Sequence, residues 1–186
     1  MWLNVREHQM AQPSSISRRI SDCITHLQEN NHEGALVSLF PAIDKTAKKR
    51  HPSLNVGARI RAFLDEEELL LHSLVLGRPV RSKIISNNHS VASAIYLFGR
   101  TSILHEGELD PRLKFTRENF IEMGDSKWHF PVSYIAAMSV AVISAPENAG
   151  ESIEGSLRIT IAGNEFRINE LWGKKSEIEL LVFNEQ

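Results

Sequence analysis

Two residues near the middle of the chain have the types and spacing to do chemistry. Arg100 and His105 close the apolar stretch that runs from Ala94 to Leu109. An arginine offers a planar fork of donors that suits a phosphate. A histidine is the side chain best placed to move a proton near neutral pH. Together they are the minimal kit for metal-free cleavage of an RNA phosphodiester, with Thr101 beside them as a hydroxyl able to orient a phosphate or the histidine. A plainer reading uses the same residues: cations favour a helix C-terminus, or pair with Glu106, Glu108 or Asp110.

On an ideal helix, residues five apart point about 140° from each other. One protomer therefore does not easily focus Arg100 and His105 on one atom. Either the helix unwinds near Leu104, or two protomers pack this helix about a two-fold axis and bring both pairs to one cleft.

The elements that must position the motif read as helices. Ser14-Ser15 can cap a first helix with Ile16, Ile20, Cys23, Ile24 and Leu27 at helical spacing, ending at Asn30-Asn31. A second runs from about His32 to Lys49, with Pro41 expected to kink or split it. A third starts near Asn55 and runs to Gly77, its acidic stretch Asp65 to Glu68 read as a solvated face. The fourth, Ser90 to about Leu104, carries the motif, and Gly107 and Pro111 stop it.

Beyond it the character changes. Leu113 to Pro131 alternates loosely around the turn signal Gly124-Asp125, which predicts a small hairpin or irregular β insertion, placed at about 112–131. Val132 to Ser144 is apolar on most sides and reads as a central helix. After a loop, Leu157, Ile159 and Ile161, the turn Ala162-Gly163-Asn164, and Phe166 and Ile168 predict a hairpin. Ile178 to Phe183 fits a third strand or a short helix. The expected fold is mainly α, a bundle of four to five helices over residues 14–145, with a β appendage over 150–186 packed on the same domain.

Helices leading to an Arg-x4-His motif at the end of a late helix resemble a HEPN domain (higher eukaryotes and prokaryotes nucleotide-binding), in its abortive-infection and toxin-like branch. The string Leu97 to Gly107 is similar to that family's motif, and the likeness covers roughly residues 14–145. It implies a metal-independent endoribonuclease or RNA-binding protein acting as a homodimer, with a role in toxin–antitoxin systems or antiviral defence and a cognate antitoxin or partner protein. Arg100 would hold the phosphate, His105 would move the proton of the ribose 2′-hydroxyl or the leaving oxygen, and a 2′,3′-cyclic phosphate would remain. The chain departs from the family at Thr101, where active members most often carry Asn, Asp or His. The other class compatible with the same bundle is a non-catalytic dimerisation or protein-interaction module.

Charge permits a polyanion. Residues 1–61 hold nine Lys/Arg against five Asp/Glu, and residues 78–117 seven against three, while 146–186 hold four against eight. Lys45, Lys48, Lys49, Arg50 and Arg59, with Arg61, make a candidate RNA track; a solvated helix end gives the same run.

Other constellations are weaker. His105-Glu106 lacks the second histidine of a zinc-protease helix. Glu68 and His72 read as a surface pair. No Gly-rich loop precedes a Lys-Ser or Lys-Thr, and no cofactor or metal is implied. Cys23 lies on an apolar face and reads as core, as do Trp128 and Trp172. The single cysteine, and the lack of any signal-peptide or bilayer-length apolar run, lead to the expectation of a soluble, cytoplasmic protein without membrane contact.

Overall fold

The computed structural model of the chain describes residues 14–86, 89–124 and 127–184. Capping fixes where the first helices begin. Ser14 Oγ accepts from the backbone of Ile16 and Ser17 to open α1 (Ser15–Gln28). Asn31 accepts from Gly34 to open α2 (His32–Arg50), and Asn55 from Ala58 to open α3 (Val56–Leu76). These side chains satisfy N–H groups that the first helical turn leaves unpaired. Gly77, at φ +61°, closes α3 in the left-handed region.

Pro41 does not split its helix. α2 runs unbroken from His32 to Arg50 with Pro41 on its exposed side. Burial of Leu36, Leu39, Phe40, Ile43 and Ala47 holds the turn that a proline destabilises.

After the short pair β1 (Ile85–Ser86) and β2 (His89–Ser90), the motif helix runs as α4 (Val91–Ala94), a π-helical segment (Ile95–Thr101) and α5 (Ser102–Glu106). The insertion is larger than a hairpin. β3 (Leu113–Thr116), β4 (Glu122–Gly124) and β5 (Lys127–Pro131) form a sheet in the order β3-β5-β4, with β3 parallel to β5 and β4 antiparallel to it. Leu113 lies opposite Trp128 and Phe115 opposite Phe130, so both strands turn apolar side chains inward together.

α6 (Ser133–Ser144) is the central helix that its all-round hydrophobicity predicts. It packs on α1, α2 and α3, with Tyr134, Ile135, Met138, Ala141 and Val142 fully buried. The Phe130 ring sits 4.6 Å from that of Tyr134 and joins the insertion to this core. The tail forms the expected hairpin, β6 (Arg158–Ile161) and β7 (Asn164–Arg167), around Ala162 and Gly163 at φ +48° and +75°. Two consecutive positive φ values are what a tight hairpin turn requires. Ile178 to Phe183 belong to a helix, α7 (Lys175–Asn184), and Ile161, Ile168, Leu171, Trp172, Ile178 and Val182 share one core with the bundle. Trp128 and Trp172 are core residues, not stacking platforms.

The acidic stretch of α3 is not a solvated face throughout. Glu67 and Glu68 are buried, because α2, α7 and the segment before β1 cover that side of the helix. No helix among the described residues is long and apolar enough to cross a membrane.

Candidate functional site

The motif helix begins where Ser90 Oγ accepts from the backbone of Ser93. Its buried side, Val91, Ala94, Ile95, Phe98 and Ile103, faces the bundle. Gly99 allows a close approach there: a Cβ at this position would stand 3.1 Å from both Phe40 and Leu113. The chain leaves the helix at Gly107, φ +82°, and folds back so that the Asp110 amide donates to the Phe98 carbonyl.

The helix does not unwind near Leu104. The irregularity lies upstream, where the π-helical segment Ile95–Thr101 widens the turn and the Thr101 hydroxyl donates to the Tyr96 carbonyl, five residues back, at 3.1 Å. α5 is regular from Ser102 to Glu106, so Thr101 and His105 are neighbours one turn apart, while Arg100 points to one side of them.

Arg100 and Tyr96 are themselves four apart, and the Arg100 guanidinium carbon lies 5.6 Å from the centre of the Tyr96 ring. A second arginine reaches the same ring. The Arg61 guanidinium, from α3, is 4.9 Å from that centre. Gly57, one turn before Arg61, makes room: a Cβ there would fall 2.7 Å from the Tyr96 hydroxyl. All three side chains are half-buried, and neither arginine pairs with a carboxylate among the described residues. Pairing with Glu106, Glu108 or Asp110 is therefore not how Arg100 is held. Asp110 takes Arg112 instead, in a two-pronged contact at 2.8 and 2.6 Å that holds its carboxyl below the usual range. His105 is exposed, with no hydrogen-bond partner among the described residues. Leu97 and Leu104 on the same helix are 39% and 58% exposed.

The candidate RNA track lies on α2 and α3; Arg50 and Arg59 are turned inward while Lys45, Lys48 and Lys49 stay exposed. Arg50 meets Glu67 at 2.7 Å, Glu147 at 2.8 Å and Glu66 at 3.0 Å. Burial works against its charge, yet hydrogen bonds to Glu147, Glu67 and Glu66 raise its pKa above the ordinary range. Lys49 binds the Glu147 carbonyl, Asn148 and Glu151. Arg59 meets Asp44 at 2.6 Å, and Lys45 donates to Ser15. Lys48 is exposed, with no partner among the described residues.

A second titratable group lies in the core. Glu68 and His72 are not a surface pair: both are buried, beside the buried Tyr134. One Glu68 oxygen accepts from the Ile84 amide at 2.7 Å. The other Glu68 oxygen, both His72 ring nitrogens and the Tyr134 hydroxyl have no partner among the described residues. Burial raises the Glu68 carboxyl, lowers His72 to about 4, and pushes the Tyr134 phenol well up, with Glu68 adding to the last. Among the described residues no group of three or more His, Cys, Asp or Glu side chains is arranged to hold a metal ion. Cys23 is buried, as its apolar face predicts.

Tyr96 and Gly57 escaped the sequence reading, and Arg61 entered only as part of the basic run. The Tyr96–Arg100 and Gly57–Arg61 spacings of four were legible signals. That they meet depends on how α3 packs against the motif helix.

Comparison with known proteins returns relatives from mycobacteria. "Uncharacterized protein Rv1289" of Mycobacterium tuberculosis (strain ATCC 25618 / H37Rv) is 22% identical over 187 residues, covering 90% of this chain and 88% of the relative. "Uncharacterized protein Mb1320" of Mycobacterium bovis (strain ATCC BAA-935 / AF2122/97) matches with the same identity and coverage. No solved structure matches. The Rv1289 family model covers residues 15–186, the bundle and the tail together, and the chain belongs to that family.

Proposed function

We propose that this protein is a HEPN-like, metal-independent endoribonuclease or RNA-binding protein that acts through Arg100 and His105 at a homodimer cleft. One observation carries the reading: a cation and a proton carrier, five residues apart near the end of one helix, have no carboxylate partner among the described residues. Arg50, Arg59 and Arg112 are each neutralised by carboxylates. Arg100 is not. α5 keeps its regular geometry, so convergence of the two groups calls for a second protomer rather than a local unwinding.

In such a cleft Arg100 holds the non-bridging phosphate oxygens and stabilises charge that develops in the transition state. His105 takes the proton of the ribose 2′-hydroxyl or protonates the leaving 5′-oxygen. The 2′-oxygen attacks phosphorus, the bond to the 5′-oxygen breaks, and a 2′,3′-cyclic phosphate remains. A toxin or defence role, with a cognate partner in the cytoplasm, belongs to this reading.

The test is RNA cleavage in excess EDTA by wild type, Arg100→Ala and His105→Ala, with folding and oligomeric state matched. Cleavage that both substitutions abolish supports the ribonuclease. Intact RNA, or cleavage indifferent to both, removes it.

A second reading has its own support. Leu97, just before the motif, and Leu104, within it, are exposed, and the Thr101 hydroxyl is spent on the Tyr96 carbonyl. A face of that kind suits a non-catalytic dimerisation or interaction module. Under it, Leu104→Asp converts a dimer to a monomer in sedimentation velocity while Arg100→Ala does not.

A further inference from the structure

Two cations with no carboxylate between them repel unless an anion joins them. Arg61 and Arg100 come from different elements, α3 and the motif helix, and converge on one ring at 4.9 and 5.6 Å. Their guanidinium carbons are therefore no farther apart than the sum of those distances. Even that upper bound is close to the Debye length at 0.1 M ionic strength, about 10 Å, so each charge acts on the other and on whatever lies between. The arrangement is built rather than incidental. It needs Tyr96 in a π-helical turn, and it needs glycine at 57, since a Cβ there would strike the phenol.

From this we infer that Arg61 and Arg100, spaced by Tyr96, form a two-guanidinium clamp for the phosphodiester backbone of single-stranded RNA, complete within one protomer. The inference rests on the RNA-directed reading and adds to it a contact that the Arg-x4-His motif does not contain. The planar forks supply paired donors to phosphate oxygens, and Tyr96 holds the two forks at a fixed spacing. Arg61 then positions the strand, while His105 remains the proton carrier. The clamp also moves the RNA track. Its cations are those left unneutralised on α3 and the motif helix, rather than Arg50 and Arg59, whose forks are taken by Glu and Asp.

The experiment is fluorescence anisotropy with a labelled 2′-O-methyl RNA oligonucleotide, which binds without being cut, across a salt series. Wild type is compared with Arg61→Gln, Arg61→Lys, Arg100→Gln and Gly57→Ala, each first shown to melt as wild type does. Arg61→Gln is expected to weaken binding roughly tenfold or more, as loss of a charged hydrogen bond does. It should also reduce the dependence of log affinity on log salt by about one phosphate contact. Arg61→Lys should keep the salt slope and lose part of the affinity. Gly57→Ala removes no charge, so weakened binding there points to the geometry of the clamp. Wild-type affinity and slope in Arg61→Gln, beside weakened Arg100→Gln, overturns the clamp and leaves the RNA reading standing. Unchanged binding in Gly57→Ala also counts against the clamp. Wild type that fails to bind the oligonucleotide overturns both.

Discussion

Arg50 and Glu67 meet at 2.7 Å with the glutamate entirely removed from solvent, and Lys175 approaches the other carboxylate oxygen at 2.7 Å. A buried carboxylate is costly unless opposite charge stands close to it. Here the cations come from α2 and α7, so one side chain of α3 ties the first part of the bundle to the tail.

Removing Arg50 should be costly. Deleting one partner of a buried ion pair costs about 3–5 kcal/mol when the other charge is left uncompensated; Lys175 still faces Glu67, so the loss falls below that range. Arg50→Ala is expected to lower the urea midpoint accordingly. A loss of RNA binding in that variant reports unfolding, so it is uninformative about the track unless the protein is shown to be folded.

His72 should make the protein acid-sensitive. Its ring is neutral and buried, with its pKa lowered from 6.5 to about 4, so the unfolded chain binds the proton more readily. Stability is then complete above pH 6.5 and falls as pH drops towards 4, by about 3 kcal/mol at one pKa unit per 1.36 kcal/mol. Glu68 acts in the opposite sense: its raised carboxyl removes stability as pH rises above the ordinary carboxylate range. Urea melts of wild type and His72→Gln at pH 7 and pH 5 separate the two. The variant should lose most of the difference between those pH values; an unchanged difference refutes the assignment to His72.

Thr101→Val removes the hydroxyl that meets the Tyr96 carbonyl. A loss of about 1 kcal/mol is expected from that hydrogen bond. If the hydroxyl is structural, RNA cleavage by the folded variant stays near wild type. A collapse of cleavage with unchanged melting would place Thr101 against the substrate instead.

Cys23 is buried against Ser139, and burial pushes its thiol up to about 11. Thiolate is the reactive form, so native protein should react slowly with a disulfide reagent at pH 8 and quickly in denaturant. Rapid reaction of native protein would contradict the packing of α1 against α6.

Much of the scaffold was legible because its signals are local. Ser14, Asn31 and Asn55 are side chains that cap their own helices, and Ala162-Gly163 is a turn that follows from its own backbone. The unbroken helix through Pro41 was not legible, because burial elsewhere on α2 overrides a local breaker. The burial of Glu67 and Glu68 was hidden for a similar reason: a run of four acids looks solvated until α2 and α7 are placed on it. β3 beside β5 is a parallel pairing that skips a strand, and alternation does not specify its partner. In the candidate site, the spacing of Arg100 and His105 was plain. The meeting of Arg61 with Tyr96 was not, since it needs two helices brought together with a glycine at the contact.

Lys175 has a consequence for the order in which the protein is made. Glu67 leaves the ribosome long before its second cation, and until α7 exists it has only what α2 provides. α1 to α3 can collapse early, but Glu67 gains Lys175 only when a residue more than a hundred positions later arrives. The nascent bundle thus carries an incompletely answered charge through most of its synthesis, and the last helix acts as a latch.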